Sequence, residues 1–298
     1  MKSWQSLALG CLVVLSPSAS RAMAQADRTG VLILAHGGSA EWNRAVQEAV
    51  DQARLPQPHE IAFGMGMRQD EVARLGQAIQ ALQAQGIERI VVVPLAISAD
   101  SDVMRQWAYL LHLRTDGPWT EGIEPVQAGV PLEMTGALED DPAVAEVLVD
   151  RARTLSRSPG EETVILVAHG PVSDQDDARW LDMMNRLAAQ LKDAVGFREV
   201  AVATLRDDAP KPVLDAATDR LRRLVEEHGQ EGSVLVIPLL VARGGIEQKI
   251  PQRLEGLRYV FDGAPLLPHP AISRWIARRF TDLLRASEAG AGRSRVLQ

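Results

Sequence analysis

Thiols are almost missing from this chain: its 298 residues include one cysteine, Cys11. A single thiol excludes an internal disulfide, an iron–sulfur cluster and cysteine-ligated zinc, so metal chemistry has to rest on other ligands. Aromatic residues are scarce at 4 %, yet the 46 % apolar fraction is ample for α/β cores built from Val, Leu, Ile and Ala. Basic runs are absent as well. With 39 acids against 32 Lys and Arg and a net charge of −7, the chain is a poor candidate for binding nucleic acid or anionic membranes.

The apolar run Leu7 to Leu15 is too short to span a bilayer as a stop-transfer helix. It follows Lys2 and precedes Ala22-Met23-Ala24, whose small residues suit signal peptidase. Residues 1–24 are therefore expected to be a cleaved export signal, leaving a protein of the periplasm or cell envelope that starts near Gln25. Loss of Lys2 and Arg21 takes the net charge from −7 to −9, and Cys11 leaves with them.

What is present is a stretch that occurs twice. Val31-Leu32-Ile33-Leu34-Ala35-His36-Gly37 returns as Val164-Ile165-Leu166-Val167-Ala168-His169-Gly170. Apolar runs without alternation predict parallel strands buried on both faces, and the Gly allows a tight turn at once. Each His then sits at the carboxyl end of a central strand, the edge where open α/β sheets bind ligands.

The surroundings repeat too. After His36, a helix is predicted from Ala40 to Leu55 with Ser39 as its cap, then a short strand His59 to Gly64 and a helix from Gln69 to Gln85. The strand Ile90-Val91-Val92-Val93-Pro94-Leu95 follows, then the loop Ser98-Ala99-Asp100-Ser101-Asp102. Pro142 opens a further helix behind Asp141. The second half replays strand, helix, the short strand Val200 to Leu205, helix, and Val234-Leu235-Val236-Ile237-Pro238-Leu239. A period of domain size means duplication, and alternating strands and helices mean two parallel sheets. The expected division is domain 1 at 27–157, domain 2 at 160–287 and a disordered tail at 288–298.

This double pattern resembles the class II tetrapyrrole chelatases, the CbiX/SirB-type sirohydrochlorin cobaltochelatases and ferrochelatases. The likeness covers nearly all of the chain after the signal, once per half. It implies two parallel sheets flanked by helices with a cleft between the halves, where a divalent metal, cobalt or iron with nickel possible, enters a tetrapyrrole without a nucleotide. It also implies that His36 and His169 are metal ligands. The family's second histidine, in the loop after the Pro-Leu strand, is replaced here by Asp102 in the first half and is absent from Gly244-Gly245-Ile246-Glu247 in the second. The family's acid after the Phe-ended strand is also missing, with Met65 at that place.

Three arrangements follow. His36 takes carboxylate help from Asp100 or Asp102, with His36 and Asp102 as the catalytic pair; or His36 and His169 supply an imidazole pair across the cleft; or turnover is lost and the cleft only binds metal or tetrapyrrole. The chain is expected to act as a monomer with two pseudo-symmetric domains. Asp174, Asp176 and Asp177 read as a helix start suited to the helix dipole, and Trp42 and Trp180 as core residues.

Overall fold

The computed structural model describes residues 28–66, 68–115 and 122–294, with side chains as far as residue 285. The expected signal at 1–24 lies outside these residues. Strands β1 (Thr29–Ala35), β2 (His59–Phe63), β3 (Arg89–Leu95) and β4 (Leu132–Met134) form one sheet in the order β2-β1-β3-β4, with every pairing parallel. A second parallel sheet has β5 (Glu162–Ala168) between β6 (Glu199–Thr204) and β7 (Ser233–Leu239). A bridge from Leu235 to Val260 stands where the first sheet has its fourth strand. This is the α/β architecture with two parallel sheets expected from the sequence. The central strands β1 and β5 are buried along their whole length, which is why they read as unbroken apolar runs.

The helices are α1 (Ala40–Ala53), α2 (Gln69–Ala84), α3 (Asp102–Leu110), α4 (Pro142–Leu155), α5 (Asp174–Val195), α6 (Lys211–Glu231), α7 (Ile246–Arg253) and α8 (Pro270–Ser294). Local chemistry starts them. The hydroxyls of Ser39, Ser101 and Ser173 accept the N–H groups of Trp42, Met104 and Asp176, and the Asp141 carboxylate accepts that of Ala143 ahead of Pro142. Helix α8 runs on to Ser294, into the stretch expected as a tail.

Side chains alternate along each strand, so each sheet has two faces with different partners. Leu32 and Leu34 face α2 and α3, and Ile165 and Val167 face α6 and α7. Val31, Ile33 and Ala35 share one core with Val164, Leu166 and Ala168, filled by residues of α1, α4, α5 and α8. That shared layer is cross-connected. Helix α4, which closes the first half of the sequence, packs on α5 and β7; helix α8, which closes the second, packs on α1 and β3; and the two contact each other. Arg274 with Glu146 and Arg278 with Asp141 tie α8 to α4. The repeats in sequence and the units in space therefore differ by one exchanged helix each.

Candidate functional site

Both His-Gly turns are built alike. Gly37 and Gly170 have φ of 78° and 76°, and a Cβ on Gly170 would lie 2.5 Å from Thr204 Cβ, so this turn takes no other residue without strain. His36 Nδ1 is 2.6 Å from the Gly37 carbonyl and His169 Nδ1 is 2.8 Å from that of Gly170. A carbonyl only accepts, so Nδ1 carries the proton in both rings. In the neutral ring this tautomer leaves the Nε2 lone pair for a metal.

The two surroundings differ. Beyond β6, the Leu205 and Arg206 N–H groups donate to the Ala168 and His169 carbonyls at 2.9 and 2.7 Å, which carries the chain past the imidazole. Arg206 adopts φ of 51° and is buried, with Nε donating to Pro171 O at 3.2 Å and Nη1 paired with Asp174 at 2.6 Å. This braces the turn after His169. Asp207 and Asp208 come next, with His169 Nε2 at 3.5 Å from an Asp208 oxygen. One ligand atom from each of His169, Asp207 and Asp208 lies within 4.8 Å of the others, the group of three potential metal ligands found among the described residues. Lys249 and Arg253 already hold Asp207. Burial works to raise its pKa, but these two cations outweigh it and the carboxyl sits below the ordinary range. One imidazole and two carboxylates are donors that fit a borderline or hard divalent ion such as cobalt or ferrous iron.

His36 is exposed, with its ring centroid 6.2 Å from that of Trp42, and it joins no such group among the described residues. Among the described residues no hydrogen bond or ion pair links it to Asp102, the expected catalytic partner. Asp102 is exposed and pairs at 2.8 Å with Arg105, which also holds Asp176 at 2.7 Å. Asp100 pairs with Arg179 at 2.9 Å, and its carbonyl accepts the Trp180 indole N–H at 2.9 Å. The carboxylates expected to help a metal are thus committed to guanidinium groups that join the halves. Asp174, Asp176 and Asp177 do more than favour a helix start, since they hold Arg206, Arg105 with Arg179, and the Thr204 hydroxyl respectively.

Each loop after a Pro-Leu strand is held by a glutamate of its own half. Glu139 accepts from the Ala99 N–H and the Ser98 hydroxyl, and Glu247 accepts the N–H groups of Gly244 and Gly245 at 3.1 and 2.9 Å. Each loop also meets the first helix of the other half: Trp180 of α5 bonds the first loop, and Gly244 lies against the Trp42 indole of α1. The carboxyl edges of both sheets therefore border the junction between the halves.

The CbiX family model matches the chain twice, over residues 30–155 and 163–283. The chain belongs to the CbiX family. Among its relatives, the sirohydrochlorin cobaltochelatase of Methanosarcina barkeri is 21 % identical over 127 residues, covering 43 % of this chain and 96 % of that protein. SirB from Bacillus subtilis, solved with Fe3+, superposes with a TM-score of 0.64 at 17 % identity, over 88 % of this chain and 98 % of SirB. CbiX, described as the terminal enzyme for biosynthesis of siroheme in denitrifying bacteria, superposes with a TM-score of 0.55 at 15 % identity, over 86 % and 98 % of the two chains. These identities speak for the fold.

Within this CbiX-family chain, sequence reasoning passed over Asp207 and Asp208. Their signal was available: two acids directly beyond β6, the strand that pairs with β5 and ends beside its histidine.

Proposed function

We propose that the protein is a chelatase that inserts a divalent metal, cobalt or ferrous iron, into a tetrapyrrole of the sirohydrochlorin type. The observation that carries this reading is the group of His169, Asp207 and Asp208 at the carboxyl edge of β5 and β6. Such a group suits a metal that is cargo. One imidazole and an exposed Asp208 hold a divalent ion, while Asp207 shares its charge with two cations. Insertion releases two protons from pyrrole nitrogens; Asp208, freed as the metal leaves it, accepts one and solvent water takes the other. His36, at the matching edge of the first half, is the second imidazole of the proposal; Asp102, paired with Arg105, has no part in it. The apolar N-terminal segment and Ala22-Met23-Ala24 are the basis for placing the activity in the periplasm or cell envelope.

A second reading, binding of metal or tetrapyrrole without turnover, is favoured by the single imidazole that ends the central strand of each half, His36 after β1 and His169 after β5. One experiment separates the two. The protein from Gln25 onward is mixed with cobaltous ion and sirohydrochlorin, and metallation is followed by absorption. The first reading expects a rate above background that falls at least tenfold in His169→Ala and in Asp208→Asn. Binding of cobalt or macrocycle without turnover supports the second, and no interaction with either overturns both.

A further inference from the structure

Asp207 is occupied by two cations of the same helix, and they are not equivalent. Arg253 is 10 % exposed, donates to the Leu205 carbonyl as well, and is fixed. The Lys249 side chain is 43 % exposed, and among the described residues Asp207 is its hydrogen-bonding partner. A divalent ion taken up by His169, Asp207 and Asp208 would bring two positive charges next to that ammonium. Repulsion at such range is substantial even in a partly hydrated site. A lysine on a flexible stem can yield to it, whereas a guanidinium tied to two acceptors cannot.

We infer that Lys249 is a resident counter-cation that competes with the metal for Asp207 and so keeps the metal loosely held. The inference rests on the reading of the His169 group as the metal-holding site. When metal arrives, the ammonium moves into solvent. When the metal leaves for the macrocycle, the ammonium returns, and Asp207, only 11 % exposed, is never left short of positive charge. Lys249 thus sets affinity and exchange without itself touching the metal.

The test is a cobaltous ion titration of the protein from Gln25 onward, by calorimetry and by the visible d–d absorption of bound cobalt. Variants are Lys249→Gln, Lys249→Arg, His169→Ala, Asp207→Asn and the Lys249→Gln/Asp207→Asn pair. Lys249→Gln should bind cobalt about tenfold tighter, the order of effect of one charge removed beside a partly exposed site. Lys249→Arg, which keeps the charge, should show no gain in affinity and so separates removal of the charge from a change of side chain. The gain should vanish when Asp207 is already Asn. Unchanged or weaker binding in Lys249→Gln, with wild-type binding still dependent on His169, overturns the role of Lys249 alone; so does a gain that survives Asp207→Asn. Absence of cobalt binding in both wild type and Lys249→Gln, or binding indifferent to His169→Ala, overturns the site reading and Lys249 with it.

Discussion

The exchanged helices predict that the halves unfold together, and Trp275 is where to test it. Trp275 lies on α8, is fully buried, and belongs to the core shared by both sheets. Trimming a buried Trp to Ala costs about 3–5 kcal/mol, from lost transfer free energy plus the cavity left behind. The Trp275 indole N–H has no hydrogen-bond partner among the described residues, so the variant also sheds a buried unsatisfied donor. That offset puts Trp275→Ala near the lower end, about 3 kcal/mol. With a urea dependence of ~3 kcal/mol per M, the midpoint should drop by about 1 M. Trp275→Phe keeps most of the apolar area and removes the orphaned donor, and should cost less than ~1.5 kcal/mol. The assay is urea unfolding followed by the fluorine signals of fluorotryptophan at Trp107, in the first half, and Trp180, in the second. Because α8 packs on α1 and β3 while α4 packs on α5 and β7, both signals should move together by the same amount. Two separate transitions, only one of them shifted by Trp275→Ala, would refute the shared core.

Three further outcomes are expected. Gly170→Ala combines a φ of 76° with a Cβ 2.5 Å from Thr204, so it should lose about 2 kcal/mol or more in thermal unfolding and weaken cobalt binding at His169. Trp180→Phe removes the indole bond to Asp100 O and should cost ~1 kcal/mol in urea; no change in stability would mean the bond holds nothing together. Burial raises the Glu139 carboxyl above its ordinary range, against the opposing Ala99 N–H and Ser98 hydroxyl. The folded state then binds this proton more tightly than the unfolded chain, so ionisation of Glu139 removes stability as pH rises from the ordinary carboxylate value through the raised one. Melting curves of Glu139→Gln should therefore gain on wild type between acid and neutral pH, and a difference independent of pH would contradict this.

Much of the fold was legible because its signals are local. The runs Val31 to Ala35 and Val164 to Ala168 report burial on both faces, and Ser39 and Asp141 start helices through bonds to residues two or three positions away. The histidines were legible by position, because a residue ending a central parallel strand lies at the open edge whatever surrounds it. Their partners were harder to read. The resemblance puts Asp102 where the family has a histidine, but nothing local in the chain shows that Arg105 pairs with it and with Asp176 of the other half. The Asp174 to Asp177 segment read as dipole chemistry, while Arg206 and Arg105 reach it across long sequence separations.

The sequence alone determines that there are two α/β repeats, where their central strands run, and that each offers one imidazole at the carboxyl end of such a strand, because hydrophobic period, caps and prolines act within a few residues. Only the tertiary structure decides that the repeats exchange their last helices, that His169 comes beside Asp207 and Asp208 while His36 joins no such group among the described residues, and that Lys249 and Arg253 share Asp207. Those outcomes depend on which distant surfaces fill the same space, and packing across a core leaves no periodic trace in the chain.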